Sequence, residues 1–301
     1  MGGLAGAFPD VDIFIRSAED PLLAIEFHRH FTHSLIFVPV IGLIFAAGSR
    51  LLTTFSFWRL FRWATLGALT HGLLDACTSY GTHLLWPFSQ ERTSWHIISV
   101  IDPVFTLPLL LTLILAYSRR MEHWARIGMT WCCIVLLCGY IQRERATDFY
   151  RTQIAHRGDQ AVRLNVKPGF ANLWLWRGIY ESDGHFTVDA IWNFPFREPR
   201  LYPGGRVRRI LPPEDFAHLS GSTAYRDVLR FDFFSDQYLY AIDPHRLELG
   251  DLRFSLLPNS LEPLWVIRLD PDRPHQHLPY LTTRNVTPEK RHRFVEMLRG
   301  L

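Results

Sequence analysis

Four long apolar runs dominate the first half of the chain. Residues 31–49 are apolar apart from His33 near the start, which meets the roughly 18 or more residues that a helix needs to cross a bilayer core. A second run, 60–76, has Arg59 and Arg62 at one end and His71 with Asp75 at the other. A third, 97–117, holds one acid, Asp102, near its start and stops at Arg119-Arg120, and a fourth, 124–141, ends before Gln142-Arg143-Glu144-Arg145. The pattern predicts an α-helical polytopic membrane domain over 1–142 with four transmembrane helices. A soluble helical bundle is the bland alternative, and four such runs so closely spaced argue against it.

Beyond 142 the pattern changes. Trp174, Trp176, Trp192 and Trp265 sit in short apolar stretches punctuated by Pro and by Gly184, Gly204-Gly205 and Gly250, which reads as short strands joined by turns. Strands are expected at 173–180, 185–192, 238–242 and 264–269, and a closing helix at 288–298. The expected fold of 143–301 is a mostly β (α+β) soluble domain. His156, His185, His218 and His245 are scattered and read as surface residues. At the other end, residues 2–8 look like the last turns of an apolar helix whose beginning lies upstream.

Charge sharpens the division. Residues 1–142 carry 9 of the 32 Lys+Arg and 9 of the 29 Asp+Glu, so the front half is charge-poor. A formal net charge of +3 with no large basic cluster argues against nucleic acid as a partner. The four cysteines fall at 77, 132, 133 and 138, with no spacing that suggests a disulfide framework or a CxxC zinc site. Tracing the four runs back and forth across a bilayer puts Arg50, Arg59, Arg62, Arg119, Arg120 and Arg126 on one side, with Glu122 as the only acid in those short loops. By the positive-inside rule that side is cytoplasmic. The opposite, periplasmic side receives Asp10, Asp12, His28, His33, His71, Asp75, Asp102 and the whole region after 142.

That side also holds the candidate chemistry. Asp10 and Asp12 alternate in Pro9-Asp10-Val11-Asp12, so both carboxylates can face one cation from an extended segment; Asp pairs are also common in turns. His28-Arg29-His30-Phe31-Thr32-His33-Ser34 sets three imidazoles and a guanidinium directly before an apolar run, denser than an interfacial belt requires. His71 and Asp75 are i and i+4 within the second run, stacked on one helical face, and ionisable groups at membrane depth are expensive and usually functional. His83 and His96 follow in the loop and read as lining residues. Asp102 before Pro103 suits a helix cap and a ligand equally, and the roles are compatible. Mixed imidazole and carboxylate donors favour Zn²⁺, with Mn²⁺ or Fe²⁺ next, over Mg²⁺ or Ca²⁺. The number of donors suggests two ions. Such a site would activate water and neutralise charge on a phosphoryl or carbonyl oxygen.

The order of these blocks resembles a known family. Phe-Pro-Asp-x-Asp, His-Arg-x-Phe-Thr-His-Ser, Thr-His-x-Leu-Leu-Asp-x-x-Thr-Ser-Tyr-Gly, Leu-Trp-Pro-Phe-Ser and Ile-Asp-Pro-x-Phe-Thr-Leu-Pro, between residues 6 and 118, are similar to the YdjM-like bacterial inner-membrane proteins. That family is described as metal-dependent hydrolases and includes a LexA-regulated member. The resemblance implies Asp10, Asp12, His33, His71 and Asp75 as metal ligands, and His28 and Asp102 as ligands or orienting groups. Arg29 would clamp substrate oxyanions. The His-x-x-x-Asp element also looks like part of the zinc sites of bacterial phospholipase C and P1 nuclease, which favours phosphoester substrates. A site at the membrane further suggests lipid-linked ones, with membrane lipids as partners. Two departures stand out: relatives usually begin with another helix carrying a Thr-His pair, and His30 occupies a position that is usually Gly, so it is not carried over. The rival reading is a non-catalytic membrane scaffold with a structural metal and a binding C-terminal domain. Oligomeric state is not legible in the sequence.

Overall fold

The computed structural model describes residues 1–243 and 247–301, and the chain divides into two compact units, Met1–Trp95 and His96–Leu301. The first unit is helical. Helix α1 (Gly2–Ala7) runs into 3-10 turns over Phe8–Phe14, then come α2 (Leu23–Phe27), a 3-10 turn at Phe31–His33, α3 (Val38–Arg50) and α4 (Phe57–Cys77). Small residues let these helices approach closely. A Cβ on Gly67 would lie 2.0 Å from the Gly2 carbonyl oxygen, and one on Gly42 would lie 2.1 Å from Thr65 Oγ1. Ala5, Val38, Ile41, Ala64 and Ala68 form the core between α1, α3 and α4.

The first apolar run does not fold as one helix. Ser34 takes an extended backbone after the turn at Phe31–His33, and the Leu35 N–H leaves the helical ladder to donate to the Leu84 carbonyl at 2.9 Å. Helix α3 restarts with a proline in its first turn, where the missing N–H costs nothing. The segments Leu23–His33 and Val38–Arg50 consequently meet at 75°. Helix α3 alone has 13 residues, about 20 Å of rise against a hydrocarbon core of about 30 Å.

In the second unit α5 (Pro103–Arg119) and α6 (Glu122–His156) are packed together. Helix α6, at 35 residues, is by itself long and apolar enough to cross a membrane; the bent pair makes a second candidate if taken as one span, and α5 is apolar but shorter. Four helices therefore form where four apolar runs were read, and one or two of them are candidate spans by length and composition. Leu107, Leu111 and Ile114 on α5 and Met129 and Leu137 on α6 are all more than half exposed, an apolar surface of the kind that lipid or a partner covers.

Two antiparallel four-stranded sheets follow. The first has β1 (Arg163–Pro168), β2 (Leu175–Ser182), β3 (His185–Trp192) and β4 (Arg200–Arg208) in sequential order. Helices α7 (Pro212–Asp215) and α8 (Thr223–Phe234) lead to the second, β5 (Leu239–Ala241), β6 (Glu248–Asp251), β7 (Trp265–Arg268) and β8 (Tyr280–Thr282), and α9 (Pro288–Arg299) closes the chain. Strand β2 is buried along its whole length. Alternate residues explain this: Trp176 and Tyr180 pack on Ala146, Tyr150 and Ile154 of α6, while Ile179 joins Phe186, Val188 and Tyr240 between the sheets. Tyr150 Oη donates to Asp189 Oδ2 at 2.8 Å, and Arg157 reaches both oxygens of Asp189 at 2.6 and 3.1 Å. The passage at 142 from apolar helix to β-rich domain thus falls inside α6, whose last turns join the domain core. His156 and His218 are exposed and His185 is half-buried; His245 lies outside the described residues.

Candidate metal centre

Three elements of the first unit converge. The 3-10 turns at Phe8–Phe14 carry Pro9 at their second position and present Asp10 and Asp12, the turn at Phe31–His33 presents His33, and α4 presents His71 and Asp75 one helical turn apart. Gly72 sets the approach, because a Cβ there would lie 2.8 Å from the His33 carbonyl oxygen. With only hydrogen at that position, the backbone of His33 rests against α4 between the two α4 donors.

The donor atoms meet at one point. His33 Nε2 and His71 Nε2 are 3.1 Å apart. Asp75 Oδ2 lies 3.2 Å from His33 Nε2 and 3.5 Å from His71 Nε2, and Asp10 Oδ1 lies 3.5 Å from each imidazole. Four ligands about 2.0–2.1 Å from a tetrahedral ion are about 3.3–3.4 Å apart. The five distances straddle that value, and all four atoms fall within 4.8 Å of one another. Asp75 Oδ2 is buried and makes no aligned hydrogen bond, with Arg29 Nε and His33 Nε2 each 3.2 Å away. This N₂O₂ set fits a borderline divalent cation.

Around the set, Asp12 is buried and fully engaged. Its Oδ2 accepts from the Arg29 N–H at 2.8 Å and from Thr32 Oγ1 at 3.0 Å, and lies 3.2 Å from His33 Nδ1; Oδ1 is 3.0 Å from His28 Nδ1. A carboxylate on Nδ1 fixes the tautomer that leaves Nε2 free to ligate. Burial raises the Asp12 pKa, but the hydrogen bonds from His28 and His33 outweigh it and hold the carboxyl well below the usual range. Hydrogen bonds with His33 and His71 do the same for Asp10, whose side chain is 51% exposed. Asp10, Asp12 and His28 form a second group of ligand atoms within 4.8 Å, sharing Asp10 with the first. Arg29, in the left-handed region at φ 62°, places Nε 3.2 Å from Asp75 Oδ2, donates from Nη1 to Thr78 Oγ1 at 2.9 Å, and lies over the Tyr80 ring.

With this geometry in view, a family model described as YdjM inner membrane protein matches residues 1–146. Over those residues the chain is similar to the YdjM inner membrane proteins. The inner membrane protein YbcI of Escherichia coli (strain K12) is 38% identical over 77 residues, 24% of this chain and 44% of that protein. The chain therefore spans less than half of that relative's length. No solved structure matches the chain.

All the expected ligands fall inside the YdjM-family region, and the structure gathers Asp10, His33, His71 and Asp75 as one set, with Asp12 and His28 beside it. Asp102 belongs to the second unit, where Oδ1 caps α5 by accepting from the Val104 and Phe105 N–H groups at 2.9 and 3.2 Å. His83 is buried with its ring 4.6 Å from that of His30, and burial drives its pKa down to about 3. His96, in the second unit, has Nε2 3.1 Å from Asn165 Nδ2 and is likewise driven down by burial to about 3. Both imidazoles are neutral at physiological pH. Three contributors escaped the sequence reading: Thr32, Thr78 and the backbone gap at Gly72. Each stands inside a block already singled out, and the signal was a hydroxyl or glycine directly beside a candidate donor.

Proposed function

We propose that the chain is a membrane-bound metal-dependent hydrolase acting on phosphoesters, lipid-linked ones included, at the periplasmic face of the bacterial inner membrane. The observation that carries the reading is the convergence of His33 Nε2, His71 Nε2, Asp75 Oδ2 and Asp10 Oδ1 at tetrahedral-edge distances. These four residues would hold the ion, with Zn²⁺ preferred and Mn²⁺ or Fe²⁺ as alternatives. When bound, such an ion supplies Lewis acidity to a phosphoryl oxygen and lowers the pKa of water. His71 and Asp75 fix one edge of the site from a single helix face, and Asp12 orients His33 through Nδ1. Arg29 brings positive charge beside Asp75, where substrate oxygens would arrive. A second ion would draw on Asp10, Asp12 and His28 at the expense of the hydrogen bonds that now hold Asp12. The reading includes four membrane passes, with the short-loop arginines cytoplasmic and 143–301 periplasmic.

One observation favours a second reading. Four protein donors suffice to close a tetrahedral ion, which is the mark of a structural site, whereas catalytic sites keep a position open. Asp10, the most exposed of the four, is the donor that would give way. Metal analysis of the purified protein beside its His71→Ala variant tests the centre: the wild type should hold stoichiometric divalent metal and the variant should lose it. Equal metal in both sinks the site. Retained metal with no cleavage across a panel of phosphomonoesters, phosphodiesters and lipid phosphates leaves the scaffold reading.

A further inference from the structure

The apolar run of α6 ends at Ile141, and the next turn of the helix grips two loops of the second unit. Gln142 Nε2 donates to the Asn193 carbonyl at 2.7 Å, and Asn193 Nδ2 donates back to the Gln142 carbonyl at 2.9 Å. Arg145 donates through Nη1 to the Phe194 carbonyl at 2.9 Å and through Nη2 to that of Arg197. The 169–174 loop is tied in as well, since the Asn193 N–H donates to the Trp174 carbonyl at 2.6 Å and the Ala171 N–H donates to Ser99 Oγ at 3.2 Å. These loops are thereby held at a known height on α6.

That height can be placed against a bilayer. The 18-residue run 124–141 rises about 27 Å, close to the ~30 Å hydrocarbon core, and Arg145 stands about 6 Å further along the axis. Headgroup layers occupy roughly 5–7 Å on each side of the core. The 193–197 loop therefore lies at headgroup depth whenever α6 spans. At that depth two of its side chains are the wrong kind for water, Phe196, fully exposed at 102%, and Phe194; on the segments tied to this loop Phe170, Val100 and Ile101 are exposed as well. Phe196 also holds a left-handed backbone at φ 61°, uncommon for an aromatic residue and a conformation that its surroundings must impose.

We propose that Phe170, Phe194 and Phe196 form an interfacial anchor that inserts into the headgroup–acyl boundary of the bilayer crossed by α6, seating the β-rich domain on lipid. Aromatic rings are favoured at this boundary, and apolar side chains there bury about 5–10 Å deep. Arg197 is followed directly by Glu198, so the contact is led by apolar burial and does not require anionic lipid. The proposal rests on α6 being a span, which the test checks separately.

Spin labels at Phe196→Cys, Leu137→Cys and Asp183→Cys, each in full-length protein with the four native cysteines replaced by serine, would be compared in phosphatidylethanolamine–phosphatidylglycerol nanodiscs. Leu137 is exposed within the apolar run, and Asp183 occupies the turn at the far end of the β2–β3 hairpin. Collisions with dissolved oxygen report lipid, and collisions with an aqueous nickel chelate report water. The expected result is several-fold less nickel contact and more oxygen contact at 196 than at 183, with 137 deeper still. If 137 is lipid-facing while 196 matches 183, the anchor is wrong and the span stands. If 137 is aqueous, the span fails and the anchor with it. Shielding of 196 from both reagents places it against protein and also overturns the proposal. A photoreactive benzoyl-phenylalanine at 196 in the chain with its native cysteines gives an independent reading: phospholipid adducts are expected, and adducts to protein alone refute the anchor.

Discussion

At the scale of single residues, the decisive group is a carboxylate with no solvent contact. Asp12 gathers the Arg29 N–H, the Thr32 hydroxyl and the rings of His28 and His33, so it sets both the loop before α3 and the tautomer of His33. Asp12→Asn keeps the shape but turns one acceptor into an NH₂ group facing donors. Loss of an orienting carboxylate of this kind weakens metal binding by about 10–100-fold. The expected outcome is that loss in a zinc titration, with secondary structure by circular dichroism unchanged; unaltered affinity would mean that the Asp12–His33 contact is idle. The His71–Asp75 pair was legible because a helix repeat places i and i+4 on one face whatever surrounds it. The distinct position of Asp12 was not, since it depends on His33 arriving 21 positions later in the chain.

At the scale of elements, β4 shows why turn residues mislead. Pro203-Gly204-Gly205 reads as a turn, yet the chain continues as a strand at the edge of its sheet, where proline is tolerated. The glycines are there for closeness: a Cβ on Gly204 would lie 2.2 Å from the Asn259 carbonyl oxygen and 2.4 Å from that of Val188, and the Gly204 N–H donates to Asp189 Oδ1. Gly204→Ala should destabilise the domain by about 1–3 kcal/mol, the usual cost of overpacking, read as a lower thermal midpoint; an unchanged midpoint would show that the strand can shift aside. Helix α8 also went unread, although Ser222 caps it and Ala224, Asp227, Val228, Phe231 and Phe234 bury one face. Asp232 on this helix has a buried Oδ1 without a hydrogen bond, and burial pushes its pKa from 3.8 up to about 6, against the pull of Arg209 and Arg163. A carboxyl raised in the fold contributes stability below its unfolded pKa and loses it as pH rises through the folded one. Asp232→Asn should therefore raise the thermal midpoint at pH 8, by the equivalent of about 1–3 kcal/mol, and leave it unchanged at pH 4. A gain of equal size at both values would assign the effect to packing.

At the scale of the whole molecule, the arginines in the short loops predict that the C-terminal domain lies outside the cytoplasm. A reporter active only in the cytoplasm, fused after Leu301, should be silent, and a strong signal would reverse the orientation. The apolar runs, the change of character after 142 and the i, i+4 pairing of His71 with Asp75 were determined by the sequence alone, because hydrophobic content and helical repeat act over one or two turns. Family-region helices and two antiparallel sheets follow that reading, including β3 at His185–Trp192 and the closing helix at Pro288–Arg299. Other features were decided only by tertiary structure. The break of the first run at Ser34, a bond from Leu35 to Leu84, strands β1, β4, β6 and β8, and the meeting of Asp10, His33 and α4 all rest on contacts between residues far apart in the chain. No local pattern encodes such contacts, since each depends on two segments supplying complementary donors, or a glycine gap and the backbone that fills it.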